Sequence, residues 1–131
     1  MSTIDCETET TGGTLHTVRV RAHVLHADMM PPDGPDGAPG AHDYFDASLA
    51  VCKAHTAMWY ARKKGIPLER VETHVERDDA GERQGVYKLR VRVAFHGPLT
   101  DEQRASLRAA VAKCPVHKLM TTTDVQIEML E

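Results

Sequence analysis

Apolar and polar residues alternate along four segments of the chain, and a period of two predicts half-buried β-strands. Two of the segments lie on either side of the turn-forming sequence DDAGERQG. Each of these two has one apolar and one charged face, which indicates an antiparallel hairpin with a solvated side. The four predicted strands are residues 15–27, 68–77, 86–96 and 125–129.

The longest predicted helix, residues 42–64, carries apolar residues on two of its faces rather than on one. A helix of this kind must be covered on both faces, as at the centre of a larger fold or in a dimer. The basic run RKK followed by Gly65 favours a helix end at this point. One predicted stripe comprises Tyr44, Ala47, Val51, Ala54 and Met58, and the other comprises Phe45, Leu49, Cys52 and Trp59.

The remaining pattern completes an α+β order of elements. Residues 100–113 form a second predicted helix, opened by the capping-box sequence TDEQ. Residues 29–40, MMPPDGPDGAPG, are too rich in proline and glycine for a helix or a central strand, and they predict a long loop. The order β-loop-α-β-β-α-β is typical of the α+β class. We expect residues 1–13 to be a flexible tail and residues 14–131 to be a single domain.

Composition narrows the range of functions. The 131 residues carry a formal net charge of −3 without a run of basic residues, which argues against a nucleic-acid footprint and a polybasic membrane patch. No apolar run reaches the roughly 18 residues of a membrane span. The first residues are polar and acidic, so we expect no signal peptide. With three cysteines and no export signal, the expected compartment is the cytoplasm, where thiols are free, catalytic or metal-bound.

Two of the cysteines occur in regular structure far apart in sequence. Cys52 lies within the long helix, and Cys114 follows the second helix and precedes a proline. Such a pair suits a dithiol redox site, although both residues could equally be small core hydrophobes. The pairs Cys52-x-x-His55 and Cys114-x-x-His117 contain zinc-ligand types, but their spacing and the interrupting proline are unusual for zinc. We expect Cys6 to be an exposed spectator thiol.

Two segments, CKAHTAMWYARKKGIPLERVETHVE and FHGPLTDEQRASLRAAVAKCPVHKLM, resemble the OsmC/Ohr family of osmotically inducible and organic hydroperoxide resistance proteins. They contain, in order, a cysteine in the central helix, an ARKKG helix end, a proline, an acidic strand, a GxLTxEQR sequence and a second cysteine in KCPVH. The resemblance implies an OsmC-like α+β fold with a long central helix, antiparallel sheets and an intertwined homodimer. A dimer would also cover the second apolar face of the helix.

The resemblance further implies a thiol peroxidase that acts without a cofactor or metal. Cys52 would be the peroxidatic residue, which reduces an organic hydroperoxide and becomes a sulfenic acid. Cys114 would resolve this acid as a disulfide, and a dithiol reductant would restore both thiols. The alternative is a non-catalytic member that binds a small hydrophobic or electrophilic ligand in the dimer pocket.

Burial disfavours a thiolate, so Cys52 needs a nearby cation. The family supplies an arginine oriented by an acid at the start of the central helix. Asp43 fits the acid, and Arg21, or else Arg19, is the candidate arginine. The apolar neighbours expected to shape a pocket for an alkyl peroxide are Phe45, Leu49 and Trp59.

Asp46 and Lys53 depart from the apolar or small residues expected beside the cysteine. Their i,i+7 spacing places them on one edge of the helix. Either they form a polar edge of the helix that faces solvent, or they indicate that the site beside the cysteine differs from that of the family.

Overall fold

The computed structural model describes residues 2–130, and its elements confirm the α+β class. They pack as two compact units, one ending at Phe45 and the other beginning at Asp46, which are described separately. None of the described helices is long and apolar enough to cross a membrane. In chain order the elements are β1 (Ile4–Thr8), β2 (His16–Val20), β3 (His23–Ala27), α1 (Ala41–Lys64), β4 (Arg70–Asp78), β5 (Lys88–His96), α2 (Asp101–Val111) and α3 (Pro115–Thr121).

The first unit contains an antiparallel sheet in the order β1-β2-β3. We predicted one strand over residues 15–27, but the chain turns between β2 and β3 at Arg21, whose φ is 53°. Val18 of β2 therefore pairs with Leu25 of β3. The prediction was wrong because an arginine in the left-handed region is uncommon, and the alternation continues on both sides of it.

Residues 1–13, which we expected to be a flexible tail, contain strand β1. Within that segment β1 pairs with β2, with Cys6 opposite Val18. Every β1 side chain is exposed, so the strand lacks the apolar face that would have revealed it. Its backbone hydrogen bonds to β2 define this strand instead.

The predicted loop before α1 is confirmed, and the buried carboxylate of Asp28 organises it. One oxygen accepts hydrogen bonds from the Thr14 hydroxyl at 2.6 Å and the Met29 amide at 2.7 Å, and the other accepts from the Gly37 amide at 2.8 Å. The bond from Thr14, together with the backbone bonds, lowers the pKa of Asp28 below its ordinary value.

In the second unit, the predicted hairpin is confirmed as the antiparallel pair β4-β5. Thr73 faces Val93 on the half-buried side, and His74 faces Arg92 on the exposed side. The half-buried side contributes to a core shared with α1 and α2, since core residues come from all of these elements. The core consists of Ala57, Ala61, Leu68, Phe95, Leu107 and Val111.

Helix α1 confirms the long predicted helix, starting one residue earlier. Gly65 follows it with φ 66°, and the Ile66 amide donates to the Ala61 carbonyl at 2.9 Å, which closes the helix end. Its buried stripe differs from both predicted apolar stripes, since only Leu49 belongs to either of them. The buried stripe consists of Asp46, Leu49, Lys53, Ala57 and Ala61.

Helix α2 begins with the predicted capping box. The Gln103 amide donates to the Thr100 hydroxyl at 3.1 Å, and the Thr100 amide donates to the Gln103 side chain at 3.0 Å. Helix α3 was not predicted, although Pro115 occupies its first turn, where a missing N–H costs nothing.

The strand predicted over residues 125–129 is absent from the described chain. Val125, Ile127 and Met129 alternate as expected, but all three are exposed. For a single copy of the chain the prediction was wrong. Alternation indicates two different faces, but a strand also needs a neighbouring strand to pair with.

Candidate functional site

The Cys52 thiol lies half-buried on α1 against the start of α3. Its Sγ accepts a hydrogen bond from the Val116 amide at 3.4 Å. Pro115 has no N–H, so Val116 carries the first amide of α3 that is able to donate. Cys114 immediately precedes α3 and is fully buried, with 0 % of its surface exposed. The structure therefore brings the two cysteine-bearing segments together.

Lys53, the residue after Cys52, is buried with only 5 % of its surface exposed. Its Nζ donates to the Val111 carbonyl, the last residue of α2, at 2.7 Å. The same Nζ lies 3.2 Å from Nδ1 of His117 on α3. An ammonium group can only donate, so the imidazole nitrogen accepts this bond. Lys53 thus contacts both helices that flank Cys114.

Asp46 is the second buried charge on the same stripe of α1. Its Oδ2 accepts from Nε of Arg77 on β4 at 2.5 Å, and its Oδ1 accepts from the Tyr87 hydroxyl at 2.7 Å. Burial is the largest cause that raises the pKa of Tyr87, and the hydrogen bond to Asp46 is the next, so that this pKa is about 12. The tyrosine therefore remains a neutral hydrogen-bond donor over the physiological range.

These contacts decide between the two alternatives for Asp46 and Lys53. A polar edge that faces solvent is wrong, because both side chains are buried and hydrogen-bonded. Each one joins α1 to a different part of the second unit: Asp46 to the hairpin, and Lys53 to α2 and α3. The buried stripe of α1 therefore includes two charged residues, whereas the two predicted stripes were apolar.

The predicted arginine and acid lie in the first unit. Arg21 is exposed at the turn between β2 and β3, and Arg19 is exposed 3.4 Å from Glu7. Asp43 lies in the first turn of α1, where its carboxylate accepts from the Gly40 amide at 2.8 Å. Through this bond Asp43 caps the start of the helix. The catalytic roles of Arg21 and Asp43 stay predictions.

The three predicted pocket residues differ in their exposure. Leu49 is buried, whereas Phe45 and Trp59 are exposed. The Lys63 ammonium lies 5.2 Å from the centre of the Trp59 ring, a cation–π distance. Their contacts with substrate stay predictions.

The zinc alternative receives no support from the geometry. His55 is exposed, and the His117 ring contacts Lys53. Among residues 2–130, no group of three or more histidine, cysteine or acidic side chains is placed to hold a metal ion. Cys6 is exposed on β1.

Comparison with known proteins identifies the family. The model for "OsmC-like protein" matches residues 34–129, which is most of the chain. The chain belongs to the OsmC-like family. A comparison with curated proteins finds no match.

Solved structures support the OsmC-like fold. An OsmC-like protein from Mycoplasma pneumoniae superposes with a TM-score of 0.74 at 18% identity, over 93% of this chain and 88% of that one. The organic hydroperoxide resistance protein OhrB of Bacillus subtilis gives 0.61 at 20% identity, over 93% and 91%. An organic hydroperoxide resistance protein from Legionella pneumophila gives 0.63 at 22%, over 93% and 90%. The chain therefore shares the fold of both OsmC-like and hydroperoxide resistance proteins.

Sequence reasoning missed the polar contacts that Arg77 and Tyr87 make with Asp46, the contact of Val116 with Cys52, and those of Lys53 with Val111 and His117. A signal was present for the first, because Arg77 has the same parity on β4 as the half-buried Val71, Thr73 and Val75. An arginine on an inward face indicates a buried acidic partner. The Val116 contact depends on α3, which the pattern did not reveal.

Proposed function

We propose that this protein is a thiol peroxidase that reduces organic hydroperoxides, with Cys52 as the attacking and Cys114 as the resolving residue. The observation that carries the proposal is the 3.4 Å hydrogen bond between the Cys52 sulfur and Val116, two residues beyond Cys114. Membership of the OsmC-like family supports it, since this family includes cysteine-based peroxidases.

In the first step, the Cys52 thiolate attacks the terminal oxygen of ROOH. The O–O bond breaks, OH is transferred to sulfur, and the alkoxide takes a proton and leaves as ROH. Sulfur is oxidised to a sulfenic acid and the peroxide is reduced. The Val116 N–H favours this step, because a hydrogen bond donated to the charged form of a group stabilises that form.

In the second step, the Cys114 thiolate attacks the sulfur of the sulfenic acid. The S–O bond breaks, hydroxide leaves and takes a proton to form water, and a Cys52–Cys114 disulfide remains. A dithiol reductant then exchanges with this disulfide, which restores both thiols while the reductant becomes oxidised. Each turnover therefore oxidises one dithiol reductant for each peroxide that is reduced.

The remaining predicted roles belong to the same proposal. Arg21, oriented by Asp43, would supply positive charge to the Cys52 thiolate. Phe45, Leu49 and Trp59 would provide an apolar surface for the alkyl group of the peroxide. We also propose a cytoplasmic location, because all three cysteines are free thiols.

A homodimer belongs to the same proposal. Helix α1 exposes Val51 and Trp59, with 50 % and 60 % of their surfaces accessible. A helix with apolar residues outside its buried stripe is expected to be covered by a further element. A second copy of the chain would provide that cover.

The test is a thiol count after treatment with one equivalent of cumene hydroperoxide, in a Cys6→Ser background that removes the exposed thiol. We expect the loss of both remaining thiols and a mass decrease of about two hydrogens, as disulfide formation requires. Cys52→Ser should retain its thiol, whereas Cys114→Ser should accumulate a sulfenic acid that dimedone traps.

Retention of both thiols in the folded parent would contradict the peroxidase. In that case, the non-catalytic alternative predicts that a small hydrophobic ligand binds without any change in thiol content.

A further inference from the structure

We propose that Lys53 is a positioning residue that holds Cys114 in place for disulfide formation with Cys52. This inference rests on the proposed function, and it assigns a role that neither the pattern of cysteines nor the chemistry of peroxides requires. It follows from three contacts in the second unit, made by two adjacent residues of α1.

The first contact fixes the chain just before Cys114. Helix α2 ends at Val111, whose carbonyl is one of the terminal groups that have no partner within a helix. The Lys53 ammonium donates to this carbonyl at 2.7 Å, in a buried setting where water does not compete. A cation is also favourable at this end of a helix.

The second contact fixes the chain just after Cys114. The same ammonium donates to His117 Nδ1 at 3.2 Å, in the first turn of α3. Only residues 112–116 lie between these two anchored positions, and Cys114 is at their centre. One side chain therefore restrains both ends of the short segment that carries the resolving thiol.

The third contact links this restraint to the attacking thiol. Cys52 precedes Lys53 on the same helix, and its sulfur accepts from the Val116 amide inside the restrained segment. Movement of α3 away from α1 would therefore separate the two sulfurs and break the bond to Cys52 at once. Reactions between held groups are sensitive to displacements of about 1 Å, which can cost up to about a hundredfold in rate.

The step that Lys53 assists is the attack of the Cys114 thiolate on an oxidised Cys52. This step can be observed without peroxide by using Ellman's reagent, a disulfide of two thionitrobenzoate groups. Cys52 attacks the reagent, releases one thionitrobenzoate and keeps the other as a mixed disulfide. Cys114 then attacks the Cys52 sulfur, expels the second thionitrobenzoate and forms the protein disulfide.

The experiment compares the two release phases in the Cys6→Ser background. We expect Lys53→Met to lower the ratio of the second rate to the first by about tenfold, because α2 and α3 lose their common anchor. General loosening of the fold would also lower this ratio, but by accelerating the first phase, since Cys52 would become more accessible. The role of Lys53 therefore requires a slower second phase at an unchanged first-phase rate. The matched control is Lys64→Met, which removes an exposed lysine from the end of the same helix.

A second variant keeps the test decisive if Lys53→Met does not fold. His117→Leu removes the contact with α3 and leaves the bond from Lys53 to Val111, so no buried cation is orphaned. We expect it to lower the ratio by about threefold, since half of the restraint remains. Folded variants with an unchanged or increased ratio, or with a ratio lowered only by a faster first phase, would overturn the role of Lys53.

The two proposals fail in different ways. A parent protein that releases only one thionitrobenzoate per chain would contradict disulfide formation, and with it the proposed peroxidase cycle. A parent that releases two and keeps none bound to the protein, with both variants unchanged, would contradict only the role of Lys53.

Discussion

Asp46 and Lys53 are buried charged residues on a helix face that would ordinarily be apolar. Burying a charge is unfavourable unless partners replace the lost water. Arg77 and Tyr87 provide this replacement at Asp46, and the Val111 carbonyl and His117 provide it at Lys53. Each charge therefore specifies which neighbours α1 accepts, because an apolar residue would pack against many surfaces equally well.

The Tyr87 hydroxyl gives a pH-dependent test of the Asp46 site. Tyr87→Phe should lower the free energy of unfolding at neutral pH by about 2 kcal/mol, since a hydrogen bond to a charged acceptor is lost. The folded-state pKa of Tyr87 is raised from 10.0 to about 12. The stabilisation is thus complete below pH 10 and is lost as the pH rises through about 12. Urea unfolding across this range should show the two proteins converging.

A difference in unfolding free energy between the parent and Tyr87→Phe that stays constant through alkaline pH would contradict this prediction. It would show that the hydroxyl contributes no titrating bond. The phenylalanine variant cannot ionise at this position, so it isolates the contribution of Tyr87 from the titration of other groups.

Among the elements, those with a complete local signal were predicted and those defined by distant partners were not. Helix α1 has a long apolar pattern and a glycine end, α2 has its capping box, and the β4-β5 hairpin has alternation on both sides of a turn. Strand β1 has no apolar face, and its existence depends on pairing with β2. Helix α3 is too short for a periodic pattern.

The residues of the candidate site also divide into those with a local sequence signal and those defined by distant partners. The two cysteines were predictable because each belongs to a recognisable sequence segment. The Val116 amide and the Arg77 side chain were not predicted, since both contacts join residues more than thirty positions apart. Local periodicity contains no information about which distant element a side chain will meet.

The capping box of α2 offers a test at this scale, since it orients the helix that leads to Cys114. Thr100→Ala should lower the free energy of unfolding by about 1 kcal/mol, because the Gln103 amide loses its acceptor. Thr100→Ser retains a hydroxyl and serves as the matched control, with less than about half of that effect. Urea denaturation of the two variants measures the difference, and equal losses would contradict the capping role.

For the whole molecule, the exposed side of α1 bears on the proposed homodimer. Val51 and Trp59 are large apolar residues on a helix whose buried stripe is already satisfied by the second unit. Exposed apolar area on a central helix favours association with another surface. The notable feature is that both residues lie outside the buried stripe.

A single substitution can test this association. Val51→Glu should convert a dimer to a monomer in light-scattering chromatography, because a carboxylate would be buried without a partner at the interface. Ala109→Glu places the same group on an exposed position of α2 and should leave the mass unchanged. A parent protein that is already monomeric, or a Val51→Glu protein that remains dimeric, would contradict this interface.

The unequal exposure of the two sulfurs gives the proposed cycle a direction. Cys114 is sealed at 0 % exposure, whereas Cys52 is accessible in part. An incoming reductant can therefore reach the disulfide only from the Cys52 side, where it would form a transient mixed disulfide and release Cys114 as the leaving thiolate. Oxidant and reductant would then share one entrance, and the sealed sulfur would be spared from irreversible oxidation.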